Sequence, residues 1–382
     1  MYFRDRLNRP SFTLRQKLWH INWLFVLLLL ITASIGFAML YSAANGNLEP
    51  WASRQMVRFG IGLIVMMAVA VTDIRLWLRY AYLFYIASLL LLFAVEFGGT
   101  FGMGAKRWID MGGVTVQPSE LMKFALILAL ARYFHGGSFE DVGRLMFLAA
   151  PAAMVAAPAA LVIRQPDLGT TIMLIAAGGT IFFMAGVKMW KFAVVLMAGV
   201  LSIPVGWQFL HDYQKTRILN FINPENDPLG GGYHIIQSKI ALGSGGLFGK
   251  GFMQGSQSSL NFLPEKQTDF IFTMLAEEFG LVGGLTLLSL YVALIAYGFS
   301  ISLNSRSQFG RLVGMGVTST FFLYVFINIA MVMGLVPVVG VPLPLISYGG
   351  TAMLTLLFGF GLLMSVYIHR DVPISRRGDE DI

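Results

Sequence analysis

Three stretches of the chain set ionisable residues beside or inside long apolar runs, where a charged side chain is costly and so marks a candidate site. The first reads Lys106-Arg107-Trp108-Ile109-Asp110, then Gln117-Pro118-Ser119-Glu120-Leu121-Met122-Lys123. Pro118 suits a first helical turn, and Glu120 and Lys123, three residues apart, share a helix face and can pair, with Glu120 favoured near the helix amino terminus. Two readings follow. Either this is a structural ion pair behind a capping turn, or Lys106, Arg107 and Lys123 hold a pyrophosphate at the membrane surface while Trp108 anchors at the interface or packs on a sugar. The second stretch, Arg164-Gln165-Pro166-Asp167-Leu168-Gly169-Thr170, is a tight turn in which Asp167 is expected to cap the next helix. The third runs from Asp227-Pro228-Leu229-Gly230-Gly231-Gly232-Tyr233-His234 through Gly243-Ser244-Gly245-Gly246-Leu247-Phe248-Gly249-Lys250-Gly251 to Leu263-Pro264-Glu265-Lys266-Gln267-Thr268-Asp269-Phe270. Its glycines permit close backbone approach to a ligand or partner. By position alone, Thr268 or Asp269 would cap the helix that follows.

Several chemistries are excluded. A phosphate-binding P-loop would need Gly where Ser244 stands and Ser or Thr where Gly251 stands. The histidines, His20, His135, His211, His234 and His369, are scattered without metal-ligand spacing, so no protein metal site is expected. With no cysteine, thiolate ligands, disulfides and cysteine nucleophiles are absent together. No serine shows a His and Asp partnership.

The elements that must position these residues are membrane helices. The 382 residues are 56% hydrophobic and 12% charged, with a mean hydropathy of +0.70, whereas soluble domains are about 25% charged. Apolar runs long enough to cross a bilayer recur at 22–41, 55–72, 77–96, 117–134, 143–163, 169–187, 190–209, 269–301, 309–335 and 345–368. The expected fold is an all-α polytopic membrane protein of about ten transmembrane helices. It is read as one domain over 1–382, with an amino-terminal segment at 1–21, a large loop at 210–268 between helices seven and eight, and a carboxy-terminal tail at 369–382. Gly310, Gly314 and Gly316 are expected to let helices pack closely. The first apolar run follows Arg4, Arg6, Arg9, Arg15 and Lys17 without a small-residue cleavage site, so it reads as an uncleaved helix. With that end inside, Arg75, Arg79, Arg132, Arg144, Lys188, Lys191, Arg306, Arg311, Arg370, Arg376 and Arg377 also fall inside. The shorter outside set is Arg54, Arg58, Lys106, Arg107 and Arg164. This bias puts both termini in the cytoplasm and the large loop in the periplasm of a bacterium, and it accounts for the net charge of +7 without nucleic acid.

Taken together, these blocks resemble the SEDS family (shape, elongation, division and sporulation). The resemblance rests on the segments around Lys106-Arg107-Trp108, Gln117-Pro118-Ser119-Glu120, Pro166-Asp167-Leu168-Gly169-Thr170 and Thr268-Asp269-Phe270-Ile271-Phe272, on Ala276-Glu277-Glu278, and on Pro342-Leu343-Pro344-Leu345-Ile346-Ser347-Tyr348-Gly349-Gly350. The glycine-rich loop wording is similar to the elongation, rod-shape-determining (RodA-type) branch. Gln267 departs from the histidine that many relatives carry before the Thr-Asp pair.

The resemblance implies a peptidoglycan glycosyltransferase of the inner membrane. It would polymerise lipid II onto a growing lipid-linked glycan strand during cell elongation, beside a class B penicillin-binding transpeptidase and the elongation machinery. It also places the family's catalytic aspartate on Asp269. Transfer from a pyrophosphate-linked sugar needs a base for the attacking hydroxyl, while the leaving group needs charge stabilisation and no proton. One carboxylate therefore suffices. Lys106, Arg107, Lys123, Arg217 and Lys266 are candidates to neutralise the pyrophosphate, with Trp108, Gln117 and Glu120 completing the substrate site. A divalent cation such as Mg2+ or Mn2+ could assist, and no organic cofactor is expected. The competing readings are a lipid II flippase and a noncatalytic scaffold for the transpeptidase.

Overall fold

In hydrocarbon each backbone N–H and C=O must find a partner within the chain, which leaves helices as the spanning elements of an apolar sequence such as this one. The computed structural model describes residues 13–102, 105–110, 115–209, 215–216, 219, 221, 223, 231–256 and 265–375. Its helices are α1 (Leu14–Trp19), α2 (Trp23–Ala43), α3 (Ala52–Val71), α4 (Ile74–Gly98), α5 (Pro118–Gly136), α6 (Phe139–Gly143), α7 (Leu145–Arg164), α8 (Leu168–Met184), α9 (Met189–Phe209), α10 (Gly231–Ser244), α11 (Ile271–Leu303), α12 (Gln308–Val332) and α13 (Gly350–Ile368). Each apolar segment expected from the sequence coincides with one of these. Among the described residues, seven helices (α2, α3, α4, α7, α11, α12 and α13) are long and apolar enough to cross a membrane, and α8 and the first part of α9 are shorter apolar helices. The protein is a multi-pass, helical membrane protein.

The centre of the bundle is α5, α12 and α13. Helix α5 carries Glu120 and Lys123 yet is buried along most of its length, and α12 packs against α5, α8, α11 and α13. The expected close packing at the start of α12 is present: a Cβ added at Gly310 would meet Ser305 Oγ at 2.6 Å, and one at Gly314 would overlap Ser302 Oγ.

Three features differ from the sequence expectation. Between α4 and α5 lies a small antiparallel sheet in the order β1 (Thr100–Gly102), β2 (Ala105–Asp110), β3 (Thr115–Val116). The run Ala-Lys-Arg-Trp-Ile-Asp lacks the β-branched alternation that would announce a strand, and its pairing to Thr100 and Val116 supplies the structure instead. The large loop contains α10, which packs on α11 and buries Ile235, Ser238 and Ala241. Ser238 Oγ lies 2.9 Å from Thr273 Oγ1 and donates to the Val332 carbonyl at 2.8 Å, so this loop helix is tied to both α11 and α12. Finally, the last helix begins at Gly350 and not near 345, because Pro342, Pro344 and a positive φ of 66° at Leu345 keep the preceding segment out of helical geometry.

Candidate active site

Asp269 ends a turn that runs from Glu265 into α11. It does not cap that helix: the N-cap is Phe270 and no side chain caps it. Thr268, the other candidate cap, turns its Oγ1 back to Glu265 Oε2 at 2.9 Å. The half-buried Asp269 is seated by its backbone. Asn328 of α12, fully buried, donates through Nδ2 to the Asp269 carbonyl at 3.0 Å and to the Val341 carbonyl at 2.7 Å. Ser347 Oγ donates to the Thr268 carbonyl at 2.5 Å, and Tyr348 N–H donates to the Gln267 carbonyl at 2.8 Å. The Pro342–Gly350 block recognised in the sequence therefore straps the turn from behind. Tyr291 and Gln55 hold that strap in turn, donating to the carbonyls of Pro344 and Ser347 at 2.6 and 3.0 Å. On the carboxylate side stands Gly340, with φ of 72°; a Cβ there would lie 3.5 Å from Asp269 Oδ2.

One helical turn before Asn328 on the same helix, Tyr324 reaches the second group. Lys123 Nζ lies 2.6 Å from Glu120 Oε1, Tyr324 OH donates to Glu120 Oε2 at 2.5 Å, and Lys123 also donates to the Tyr324 hydroxyl. Thr355 of α13 adds a longer contact of 3.5 Å to Glu120 Oε2. The Glu120–Lys123 pairing expected from the spacing is present, and the pair is dry, with Lys123 1% exposed and Glu120 4%. A cavity of about 20 Å³, room for one water, separates Tyr324 from the strap at Pro342–Ser347.

The third group lies at the start of α8. Asp167 caps it as expected, accepting from Thr170 N–H at 3.1 Å and Thr170 Oγ1 at 2.9 Å. Arg107 of β2 donates to the carbonyls of Gln165 and Pro166 and stands 3.8 Å from Asp167, while Gln117 Nε2 approaches Asp167 at 3.5 Å. The guanidinium thus locks the 165–167 turn to the sheet. A Cβ added at Gly169 would meet the Val339 carbonyl at 2.6 Å, so the 339–341 loop is wedged between this turn and Asp269.

A fourth group joins the glycine-rich pattern to the Ala276-Glu277-Glu278 block. Helix α11 breaks at Gly280 (φ 65°, ψ −158°), and the glycine-rich loop lies in the break. Lys250 and Gly251 N–H groups donate to the carbonyls of Glu277 and Glu278, both at 3.0 Å, and those of Leu281 and Val282 donate back to Gly246 and Leu247 at 3.0 and 3.1 Å. Lys250 Nζ pairs with Glu277 at 2.7 Å with Ser256 alongside, and Glu278 accepts from Ser42 of α2 and from Met253 N–H.

Of the expected site residues, Asp269 on one side and Glu120 with Lys123 on the other are held by Asn328 and Tyr324, one turn apart on α12, and Lys266 lies buried in the Asp269 turn. Burial pushes the Lys266 ammonium below the usual lysine range. Trp108 sits on β2 opposite Thr100, and Lys106 on the same strand opposite Phe101. Arg217 lies outside the described residues. Among the described residues, no three His, Asp or Glu side chains converge on a metal-sized site.

This architecture has known counterparts. The model for the cell-cycle proteins FtsW, RodA and SpoVE matches residues 19–372. The chain belongs to the FtsW/RodA/SpoVE family. It is 44% identical over 353 residues to the peptidoglycan glycosyltransferase MrdB of Escherichia coli strain K12, covering 90% of this chain and 93% of that protein. Its fold is similar to a chain in a solved peptidoglycan synthase complex described as coordinating polymerization and crosslinking, with a TM-score of 0.80 at 32% identity, covering 92% of this chain and 98% of that one. It is also similar to the rod-shape-determining protein RodA of Thermus thermophilus, with a TM-score of 0.70 at 29% identity, covering 92% of this chain and 97% of that one. For a chain of the FtsW/RodA/SpoVE family, Asn328, Tyr324 and Thr355 are the site positions that the sequence motifs did not mark. Asn328 had a signal, an amide in the apolar run Val325-Phe326-Ile327-Asn328-Ile329-Ala330, whereas Tyr324 read as one more membrane aromatic.

Proposed function

We propose that Asp269 is the general base in the glycosyl transfer this peptidoglycan glycosyltransferase carries out, and that the transfer polymerises lipid II into glycan strands. One observation carries the reading: a half-exposed carboxylate stands on a backbone seat fixed by Asn328, Ser347 and Tyr348, while the neighbouring carboxylate, Glu120, is already neutralised by Lys123 and Tyr324. Asp269, partly exposed and held in place through its own backbone, is the carboxylate positioned to take the proton of an incoming sugar hydroxyl.

The leaving pyrophosphate needs positive charge in place beforehand. Lys266, in the Asp269 turn, is best situated to provide it, with Lys106 and Arg217 as further candidates from the sheet and the loop. Arg107 and Lys123 are committed to protein partners, so their part is to hold the walls of the site, as Gln117 does through Asp167 and Trp108 through the sheet. A Mg2+ or Mn2+ ion would enter on the pyrophosphate oxygens, since such ions take few protein ligands beside substrate phosphates; it would offset the leaving charge. The enzyme is read as lying in the bacterial inner membrane with both termini in the cytoplasm and the site on the periplasmic side. Its partner would be a class B penicillin-binding transpeptidase that crosslinks the product.

The test is to purify Asp269→Asn and Asp269→Ala with that partner in detergent and follow polymerisation of labelled lipid II. Both are expected to fall at least a hundredfold, within the range of a lost general base. Normal polymer from both variants overturns the assignment.

A further inference from the structure

At the bundle end that holds α1 and the close of α13, Lys17 Nζ donates to the Val71 carbonyl and Ser365 Oγ to the Thr72 carbonyl, both at 2.8 Å. Helix α4 starts here, and along it a groove of about 290 Å³ opens at the surface of the bundle. Its lining includes Trp77, Tyr80, Ala81, Phe84 and Ala87 from one face of α4, with Leu128 of α5 as the floor. Residues 77 to 87 extend over about 15 Å of helix, so the groove is a channel along α4. Leu83 lines it as well, and the small side chains of Ala81 and Ala87 leave the groove its depth between the larger lining residues.

The mouth of the channel is cationic. The Arg79 guanidinium lies 5.9 Å from the ring centroid of Tyr80, which lines the groove. Arg132 of α5 is fixed beside it, donating to the carbonyls of Leu78 and Arg79 at 3.0 and 2.5 Å. Among the described residues no ion pair engages either arginine. A positive-inside bias explains why arginines lie at this end. It does not explain an apolar channel that begins at them.

We propose that the α4–α5 groove binds one anionic phospholipid, with an acyl chain along Trp77–Ala87 and the phosphate at Arg79 and Arg132. The aromatic residues Trp77 and Tyr80 stand at the level where chain meets headgroup, as expected at a membrane interface. The two arginines, in no ion pair among the described residues, select for net negative charge, since a basic pocket between helices at this level is suited to an acidic lipid head. This inference is independent of the chemistry at Asp269.

The experiment uses the full chain in nanodiscs of equal phosphatidylglycerol and phosphatidylcholine, followed by native mass spectrometry of the lipid that remains bound. The wild type is expected to retain phosphatidylglycerol in preference. Arg79→Ala should cut that preference about fivefold, the value of one cation beside an anionic head. Ala87→Phe should fill the channel and abolish retention of that lipid, while Arg306→Ala, an arginine outside the groove that pairs with Asp371, should leave it unchanged. Equal retention of the two lipids by the wild type overturns the proposal. So does an equal loss in Arg79→Ala and Arg306→Ala, or undiminished retention in Ala87→Phe.

Discussion

Two carboxylate–ammonium pairs of nearly equal length hold this molecule together in different ways. Glu120 and Lys123 are 2.6 Å apart within one turn of α5, and both are buried. Glu277 and Lys250 are 2.7 Å apart, but they join a helix to a loop, and the Lys250 side chain is 30% exposed against 0% for Glu277. The first pair is a closed unit whose charges have no water to fall back on, with Tyr324 and Thr355 taking the remaining carboxylate valence. The second is a latch that keeps the glycine-rich loop in the break of α11. Distance alone would rank them as equals; burial and connectivity assign one to the wall of the site and the other to the loop above it.

Removing the ammonium from the closed unit should have the largest effect. Lys123→Met leaves Glu120 buried without its countercharge, and loss of one partner of a buried pair costs about 3–5 kcal/mol. A sharp fall in the thermal midpoint in detergent is expected. Adding Glu120→Gln to the same chain should recover most of the midpoint and leave polymerisation impaired. If the single variant melts like Lys250→Met, the contrast between the two pairs is lost.

Next in size is the loop seat. A Cβ at Gly249 would overlap the Glu278 carbonyl, and its φ of 80° is one that side chains rarely adopt. Gly249→Val should therefore cost at least the ~1–3 kcal/mol of a strained backbone position and release the loop, read as faster proteolysis within 243–256 and reduced polymer. Lys250→Met tests the latch without the backbone clash. Water reaches the lysine but not Glu277, so the expected cost is about 1–3 kcal/mol, between an exposed pair and a buried one. Added salt should narrow the gap between Lys250→Met and the wild type, whereas it should leave the Lys123→Met gap in place.

The same contrast explains what the amino-acid sequence could reveal. Spacing within one helix is a local property, so the Glu120–Lys123 pair and the Asp167 cap were readable, as were the helices themselves from runs of apolar residues. Contacts made by folding distant segments together were not. Asn328 meets Asp269 across 59 residues and Ser42 meets Glu278 across 236, and no periodicity encodes either. The resemblance to a family marked Asp269 and the Pro342–Gly350 block as belonging together, but only the backbone hydrogen bonds from Ser347 and Tyr348 say why. The sheet and α10 escaped notice for a related reason: their order comes from packing against α4, α5 and α11 more than from local propensity.

Lys266 offers the smallest effect and the most specific one, because one group should move stability and activity in opposite directions. Burial lowers its folded-state pKa below that of the unfolded chain. Between those two values the unfolded chain binds more protons, so stability rises with pH across that window. Activity should fall over the same window if the ammonium is what meets the leaving pyrophosphate, and kcat/KM is the quantity to follow because it reports the free enzyme. Lys266→Arg keeps the charge well beyond the lysine range, so its alkaline limb should shift upward while stability loses its rise. An alkaline limb unchanged in Lys266→Arg would mean that charge at this position is not used in the transfer, leaving Lys266, like Lys123, part of the frame that holds Asp269.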